Sequence, residues 1–408
     1  MGEQWDAIVV GSGPGGLTTA ACLGSTGMKV LVLERHDVAG GNTQVFRRHH
    51  KNKNDSAHED WYEFDVGVHY IGECQPGGLF PTIFGALGVG DRLHFRPLDP
   101  DGFDTLHFPD FTFRVPAGWD DYEQRLTAQL PDEKAGIERC IRTLRTVAEE
   151  SRSGMFGGER PTYDLWAFRP LSELFDESEL SDRARALIDH WSGLYAGGPR
   201  QTAVAMHAGI IHHYMSGAFY PEGGGQMIAA RLLQVVEAVG GEVRTLSPVD
   251  RIIVENGAAV GVRLADGSEV RAPLVVSNAD HRRTVQHLVG PEHFHPGTVE
   301  WTDDAQMTLG LVCTYVVVDK VLDGPNTNYF VFPDYRTDEL YADLDDGVLP
   351  PETFAYIAIA SRKDPHNHEL CPPGHTNFQV MTLAPRGYEY WGLEQGPCLL
   401  YTSPSPRD

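Results

Sequence analysis

The apolar positions of this chain change period several times, and each change marks an element. Residues 7–10 (A-I-V-V) are a continuous apolar run, the mark of a strand buried on both faces. The run stops at Gly11. Residues 17–23 are apolar and alanine-rich, predicting a helix that ends near Gly24 to Gly27, and residues 29–33 repeat the buried-strand pattern before Glu34. Residues 61–71 alternate instead, with Phe64, Val66, Val68 and Tyr70 set against Asp65, Gly67, His69 and Ile71, as in a strand. Ahead of them the polar stretch 47–60, with its H-H-K-N-K-N-D, reads as a solvated insertion.

Farther on, residues 104–108 and 111–115 flank Pro109-Asp110 as a hairpin, with Phe103, Phe108, Phe111 and Phe113 in its sheet core. A helix is expected over 120–130. A stronger one follows Pro131-Asp132, because Ile137, Cys140, Ile141, Leu144, Val147 and Ala148 recur at three-and-four spacing. Further helices are expected over 171–175, 182–195, 202–216 and 227–239. Strand 242–246 follows, then a meander of 249–255, 259–264 and 268–277 turning at Asn256-Gly257 and Asp266-Gly267. Strands are expected over 308–320 and 353–360, and the acidic stretch 338–346 reads as a solvated loop. Residues 201–220 contain no Asp, Glu, Lys or Arg and are long enough to span a bilayer. His207, His212 and His213 make them too polar to face lipid, so a buried helix lining a cavity is expected.

With 408 residues, 41% of them hydrophobic and 22% charged, the chain suits a globular protein of two or three domains. The net charge of −24 excludes nucleic acid as a partner and excludes purely electrostatic docking to anionic lipid. Six cysteines without a C-x-x-C give neither a disulfide framework nor a metal or cluster site, and place the protein in the reducing cytoplasm. No secretory signal precedes the first strand, and Asp6 stands where a myristoylation signal needs Ser or Thr. No metal ligand set is expected: His49 and His50 are adjacent without further spaced ligands, and Asp364, His366 and His368 make a poor set.

The chemistry lies where β and α patterns meet. Gly11, Gly13 and Gly16 fill G-x-G-x-x-G, with Ser12, Pro14 and Gly15 completing the turn between strand and helix. Gly11 permits the tight turn, Gly13 lets backbone approach a pyrophosphate, and Gly16 lets helix and strand pack closely. Free N–H groups and the helix dipole then favour phosphate. Glu34 stands about 20 positions beyond the turn, the separation of the acid that binds a ribose 2′-OH, and its charge would repel a 2′-phosphate. After Glu34-Arg35 comes Gly40-Gly41-Asn42-Thr43, which resembles the E-x-x-x-x-x-G-G extension of glutathione-reductase-like FAD proteins. That resemblance implies FAD rather than a nicotinamide cofactor.

The segment F-D-V-G-V-H-Y-I-G (64–72) resembles the F-D-x-G-x-H-Y-I-G of retinol saturases, relatives of bacterial phytoene desaturases and carotenoid isomerases. The run from Tyr220-Pro221 through Gly223-Gly224-Gly225 to V-V-S-N-A at 275–279 resembles a block of the same family. The resemblance implies an α/β fold: a Rossmann-like FAD-binding domain of glutathione-reductase type with an inserted α+β substrate domain. It implies FAD-binding segments at 1–80 and 222–290 and substrate-domain segments at 81–221 and 291–397. It further implies that Asp65, Gly67 and His69 lie beside the isoalloxazine, where His69 donates a hydrogen bond or proton, and that Val249 contacts the adenine side. The same family carries a Gly-Asp pair and a last helix near its carboxyl end; none follows Asn278, and residues 398–408 read as a non-native tail. On that basis the polypeptide as written is expected to hold FAD less well than a form with that helix.

The function so implied is FAD-dependent oxidation, reduction or isomerisation at carbon–carbon bonds of a lipophilic polyene, with peripheral membrane contact through apolar surface. Two alternatives share the fold: a flavin amine oxidase, and a non-catalytic prenyl-binding protein like the GDP-dissociation inhibitors. Retention of all three glycines, Glu34 and Gly40-Gly41 argues against loss of the flavin. The sequence carries no signature of oligomeric state.

Overall fold

The computed structural model describes residues 4–51 and 59–386, and its contacts divide the chain into two units. Unit 1 comprises the chain up to His69, Gly77–Phe95 and Pro221–Gln306. Unit 2 comprises Tyr70–Pro76, Arg96–Tyr220 and the chain from Met307 onward. The expected tail 398–408 lies outside the described residues.

Unit 1 opens with β1 (Ala7–Val10), α1 (Pro14–Ser25) and β2 (Val30–Leu33). Every residue of both strands is buried, as a parallel sheet covered on both faces requires. Then come β3 (Val45–Lys51), β4 (Glu59–Asp65), α2 (Leu79–Ala86) and, after the chain returns from unit 2, α3 (Gln226–Ala238). The unit continues with β5 (Glu242–Arg244), β6 (Val249–Glu255), β7 (Ala258–Leu264), β8 (Glu269–Arg271) and β9 (Leu274–Ser277). The central sheet has the order β5-β2-β1-β9, all parallel. β6, β7 and β8 form a separate antiparallel meander.

Side chains alternate between the faces of a strand, and the core follows. Ile8, Val10, Leu31 and Leu33 of the sheet pack with Trp5 and with Ile252, Val262, Ala272 and Leu288. α1 packs on α3, and α1 also lies against β1 and β2. A Cβ on Gly24 of α1 would stand 2.4 Å from Val239 Cγ2, so a small residue is needed there for the close approach.

Four expectations need correction. The polar stretch 47–60 is not a loop: β3 and β4 pair antiparallel, matching Phe46 with Phe64, Arg47 with Glu63 and His49 with Trp61. Arg47 Nε lies 2.9 Å from Glu63 Oε2; cross-strand pairs of this kind hold a sheet without a continuous apolar run. The strand expected over 61–71 ends at Asp65. Residues 268–277 divide, β8 pairing with β7 and β9 with β1, so a single apparent strand serves two sheets. The acidic stretch 338–346 is part of the helix Thr337–Asp345, which buries Thr337, Tyr341 and Leu344 on one face and carries Asp338 and Glu339 in its first turn, where the dipole favours acids.

Unit 2 is built on a six-stranded sheet in the order Gly310–Val318, Thr376–Ala384, Ala355–Ala358, Asn328–Val331, Asp104–His107, Thr112–Val115. Asn328–Val331 runs parallel to Asp104–His107 and the other pairs are antiparallel. The helix Lys134–Gly154 buries all six residues whose spacing marked its apolar face. The helix expected over 182–195 is two, Asp182–Asp189 and Ser192–Tyr195. At the break, Trp191 Nε1 donates to Asp104 at 3.2 Å; the same fully buried carboxylate accepts from Tyr70 Oη at 3.0 Å and Asn328 Nδ2 at 2.9 Å. Residues 201–220 contribute the helix Val204–Met215, with His207, Ala208, Ile211 and Tyr214 buried. Among the described residues no helix is long and apolar enough to cross a membrane.

Candidate functional site

The carboxyl ends of β1, β2 and β9 bring the predicted nucleotide residues together in unit 1. Gly11, at φ +95°, turns the chain out of β1, and its N–H donates to Leu33 O at 2.8 Å. A Cβ on Gly16 would stand 2.2 Å from Gly11 O, a separation no side chain tolerates. Pro14 opens α1 at a position that needs no N–H donor. The first intrahelical bond runs from Leu17 N–H to Gly13 O at 2.9 Å. Among the described residues none accepts from the N–H groups of Gly13, Gly15 or Gly16. These three donors and the helix dipole make an anion-binding corner.

Ser12 bolts three segments together. Its N–H and Oγ–H donate to Glu34 Oε2 at 2.9 and 2.6 Å, and its Oγ accepts from Gly40 N–H at 3.1 Å. Glu34 Oε1 accepts from His36 N–H at 2.9 Å. A carboxylate offers about four acceptor sites, so capacity remains for a ribose hydroxyl. Arg35, beside it, is exposed.

The second glycine pair meets the first motif directly. Gly40 and Gly41 have φ +130° and +55°, and a Cβ on Gly41 would stand 2.9 Å from Gly13 Cα. Thr43 Oγ1 donates to Gly40 O at 2.8 Å, closing the turn. Asn42 lies against Gly67, whose Cβ would be 3.1 Å from Asn42 O. Asp65 is 1% exposed, and its Oδ1 accepts from Gly225 N–H at 2.7 Å, at the start of α3. His69 is half-buried four residues beyond. Val249 opens β6 and packs against the core cluster that includes Leu31 and Leu33. The structure therefore joins Gly11 to Gly16, Glu34, Gly40 to Thr43, Asp65 and Gly67 by direct contacts.

One residue escaped the sequence reading. Asn278 follows β9, its N–H donating to Val10 O at 2.8 Å, and its carboxamide lies over the turn: a Cβ on Gly13 or Gly15 would stand 2.9 Å from its Nδ2 or Oδ1. The signal that could have found it is its place just past a strand in V-V-S-N-A, since ligands of open parallel sheets collect at carboxyl ends. Gly225 was part of a recognised glycine run, but its tie to Asp65 was not legible.

These features fit a flavin dinucleotide: outward N–H donors for a pyrophosphate, a glycine cradle that any Cβ would fill, and a carboxylate for a ribose. Among the described residues no group of three His, Cys, Asp or Glu side chains could hold a metal ion. Glu34→Ala should weaken FAD binding by about ten- to a hundredfold, the range of one charge-assisted hydrogen bond. Titration of the apoprotein by flavin fluorescence checks this, and an unchanged Kd would overturn the assignment.

Comparison with known proteins agrees with the geometry. The family described as Flavin containing amine oxidoreductase matches residues 14–319. The all-trans-retinol 13,14-reductase of Danio rerio is 30% identical over 95% of this chain and 67% of its own length. The neurosporene-forming phytoene desaturase of Cereibacter sphaeroides is 30% identical over 73% of this chain and 56% of its own. Among solved structures, an oxidoreductase from Methanosarcina mazei superposes with a TM-score of 0.68 at 20% identity, covering 94% of this chain and 80% of that one. With a glycine cradle built for a dinucleotide and a family match over three-quarters of its length, this chain belongs to the flavin containing amine oxidoreductase family and is an FAD-dependent oxidoreductase.

Proposed function

We propose that the enzyme adds, removes or rearranges hydrogen at carbon–carbon bonds of a lipophilic polyene of the retinoid or carotenoid kind. The observation that carries this reading is the 30% identity to a retinol 13,14-reductase across 95% of the chain. The similarity to a phytoene desaturase, a reaction of opposite redox direction, widens the class to both directions. Bound FAD supplies hydride exchange between its N5 and carbon. The protein's own contribution is to bind, orient and exclude water. The glycine turn and Glu34 orient the nucleotide, and His69 offers a hydrogen bond or proton beside the ring. The aromatic interior of unit 2, with Tyr70 stacked on Tyr214 at 4.4 Å and Phe330 at 4.7 Å from Tyr356, suits an apolar substrate. Such a substrate dissolves in membranes, so the protein meets it by peripheral contact with a bilayer.

Amine oxidation is the second reading. It is favoured by the family description and by Lys363, a buried cation whose Nζ lies 5.9 Å from the Tyr70 ring and 5.8 Å from the Tyr220 ring. The flavin-loaded enzyme should change the conjugation length or geometry of retinol, phytoene or prolycopene, tested in parallel with the flavin oxidised and reduced and read by absorbance and chromatography. Anaerobic bleaching of the flavin by a diamine, with all three polyenes unchanged, would replace the polyene reading with the amine one.

A further inference from the structure

Exposed apolar surface is concentrated at one place in unit 2. Among the described residues, six large apolar side chains are more than 60% exposed, and four of them lie between positions 155 and 168: Met155 at 75%, Phe156 at 89%, Leu165 at 62% and Phe168 at 86%. They sit on the tip joining the helices Lys134–Gly154 and Pro161–Trp166 and on the residues just beyond. Isolated exposed apolar residues are ordinary, but a cluster of this size marks an interaction surface.

The tip is held in place. Gly158 N–H donates to Ser153 O at 3.0 Å, Tyr163 N–H donates to Glu150 Oε2 at 2.7 Å, and the Tyr163 and Phe168 rings meet edge-on at 6.2 Å. Arginines rim it. Arg160 lies over Tyr163, its Cζ 5.2 Å from the ring centroid, and Arg169 over Trp166 at 3.9 Å. Arg152, Arg160 and Arg169 outnumber Glu159 and Asp164 in residues 152–169, on a chain whose net charge is −24. The apolar side chains therefore project where the local charge is reversed. Apolar and aromatic residues at the centre with arginine stems at the edge is the pattern of a surface that enters the headgroup layer.

We infer that the tip 155–168 is the surface by which this protein docks on a phospholipid bilayer, an inference that rests on the reading of the substrate as a membrane-dissolved polyene. Met155, Phe156, Leu165 and Phe168 enter the acyl boundary, the arginines remain among anionic headgroups, and the acidic remainder is repelled, which orients the molecule.

The test uses the full chain with flavin bound. Flotation with vesicles of phosphatidylcholine and phosphatidylserine compares the wild type with the double variant Met155→Ser, Phe156→Ser and with Phe168→Ser alone. Bound fraction should fall by about tenfold or more in the double variant, from the apolar area removed, with an unchanged thermal midpoint. Turnover of vesicle-borne polyene should fall with it, while turnover of the same polyene in detergent stays at the wild-type rate. Equal flotation of all three proteins overturns the inference. So does a wild-type dimer that the substitutions convert to monomer, which assigns the tip to a second copy. Wild-type protein that turns over polyene in detergent yet never floats overturns the docking surface and leaves the function standing. Tip-dependent flotation without turnover of any polyene does the reverse.

Discussion

Gly16→Ala is expected to abolish flavin retention and to destabilise unit 1 by about 1–3 kcal/mol, the cost of overpacking a filled site. The added methyl would stand 2.2 Å from Gly11 O and 3.1 Å from Asn278 Cβ. The nearest atom is backbone, so no rotamer change relieves the clash. Relief requires the start of α1 to move off the end of β1, carrying away the N–H groups of Gly13, Gly15 and Gly16 that face the phosphates. Binding thus falls by geometry even in protein that still folds. Gly209→Ala is the matched control: Gly209 lies inside the helix Val204–Met215, exposed, with nothing within 4 Å of its Cβ. There the same change should stabilise by about 0.5–1 kcal/mol, because alanine loses less backbone entropy. Flavin absorbance per protein and the thermal midpoint read both effects. Wild-type values for Gly16→Ala would refute the packing argument.

Asp189→Asn is expected to stabilise the protein increasingly as pH rises. Asp189 is 2% exposed and begins a chain of polar groups inside unit 2. Its Oδ1 is hydrogen-bonded to Ser192 Oγ, which lies 2.7 Å from Tyr195 Oη, which lies 2.8 Å from His207 Nδ1. At the far end His207 Nε2 lies 3.1 Å from Ile188 O. A carbonyl oxygen only accepts, so Nε2 carries hydrogen. Burial pushes the His207 pKa down to about 3; the ring is neutral, and Nδ1 accepts from Tyr195. Tyr195 must then accept from Ser192, which leaves Ser192 no proton to offer Asp189. The chain closes only with Asp189 as the donor, a neutral carboxylic acid. Its Oδ2 has no hydrogen-bond partner, which a buried carboxylate would not tolerate. Burial, and after it the charge of Asp338, raises its pKa well above the ordinary carboxylate range, outweighing the opposing effect of the Ser192 contact.

The pH dependence follows from linkage. The unfolded chain releases this proton near pH ~3.9 and the folded protein keeps it, so the folded state binds more protons and stability falls as pH rises. The loss accumulates at about 1.4 kcal/mol per pH unit from about pH 4 up to the folded pKa. Asparagine keeps an N–H donor for Ser192 and cannot ionise. The advantage of Asp189→Asn over wild type should therefore be small at about pH 4 and widen at that slope above it, in denaturant unfolding across the range. A difference that stays flat with pH would mean that Asp189 is ionised in the folded protein.

What the sequence by itself determined were the features whose physics is local. The opening β1–α1–β2 unit, the apolar face of Lys134–Gly154 and the Asp104–His107 hairpin were legible because strand and helix periods act within a few residues. So were the glycines, since a turn at φ +95° is a property of one residue. The nucleotide corner was legible for the same reason: turn, helix start and acid follow one another along the chain. Where local pattern and final structure parted, composition misled. β3 and β4 look like a polar loop because their stability lies in cross-strand pairs such as Arg47 with Glu63. The helix Thr337–Asp345 looks like an acidic loop because its buried face shows only at Thr337, Tyr341 and Leu344.

Only the tertiary structure decided how distant segments close the site. Gly225 reaches Asp65 across 160 positions, and Gly41 lies against Gly13. Asn278 reaches the glycine turn only because β9 pairs with β1. The polarity of the Asp189 chain and the clustering of Met155, Phe156, Leu165 and Phe168 likewise arise from packing. A hydrogen bond or a close approach between remote residues leaves no period in the chain, because each partner satisfies its own local rules whether or not the other is near.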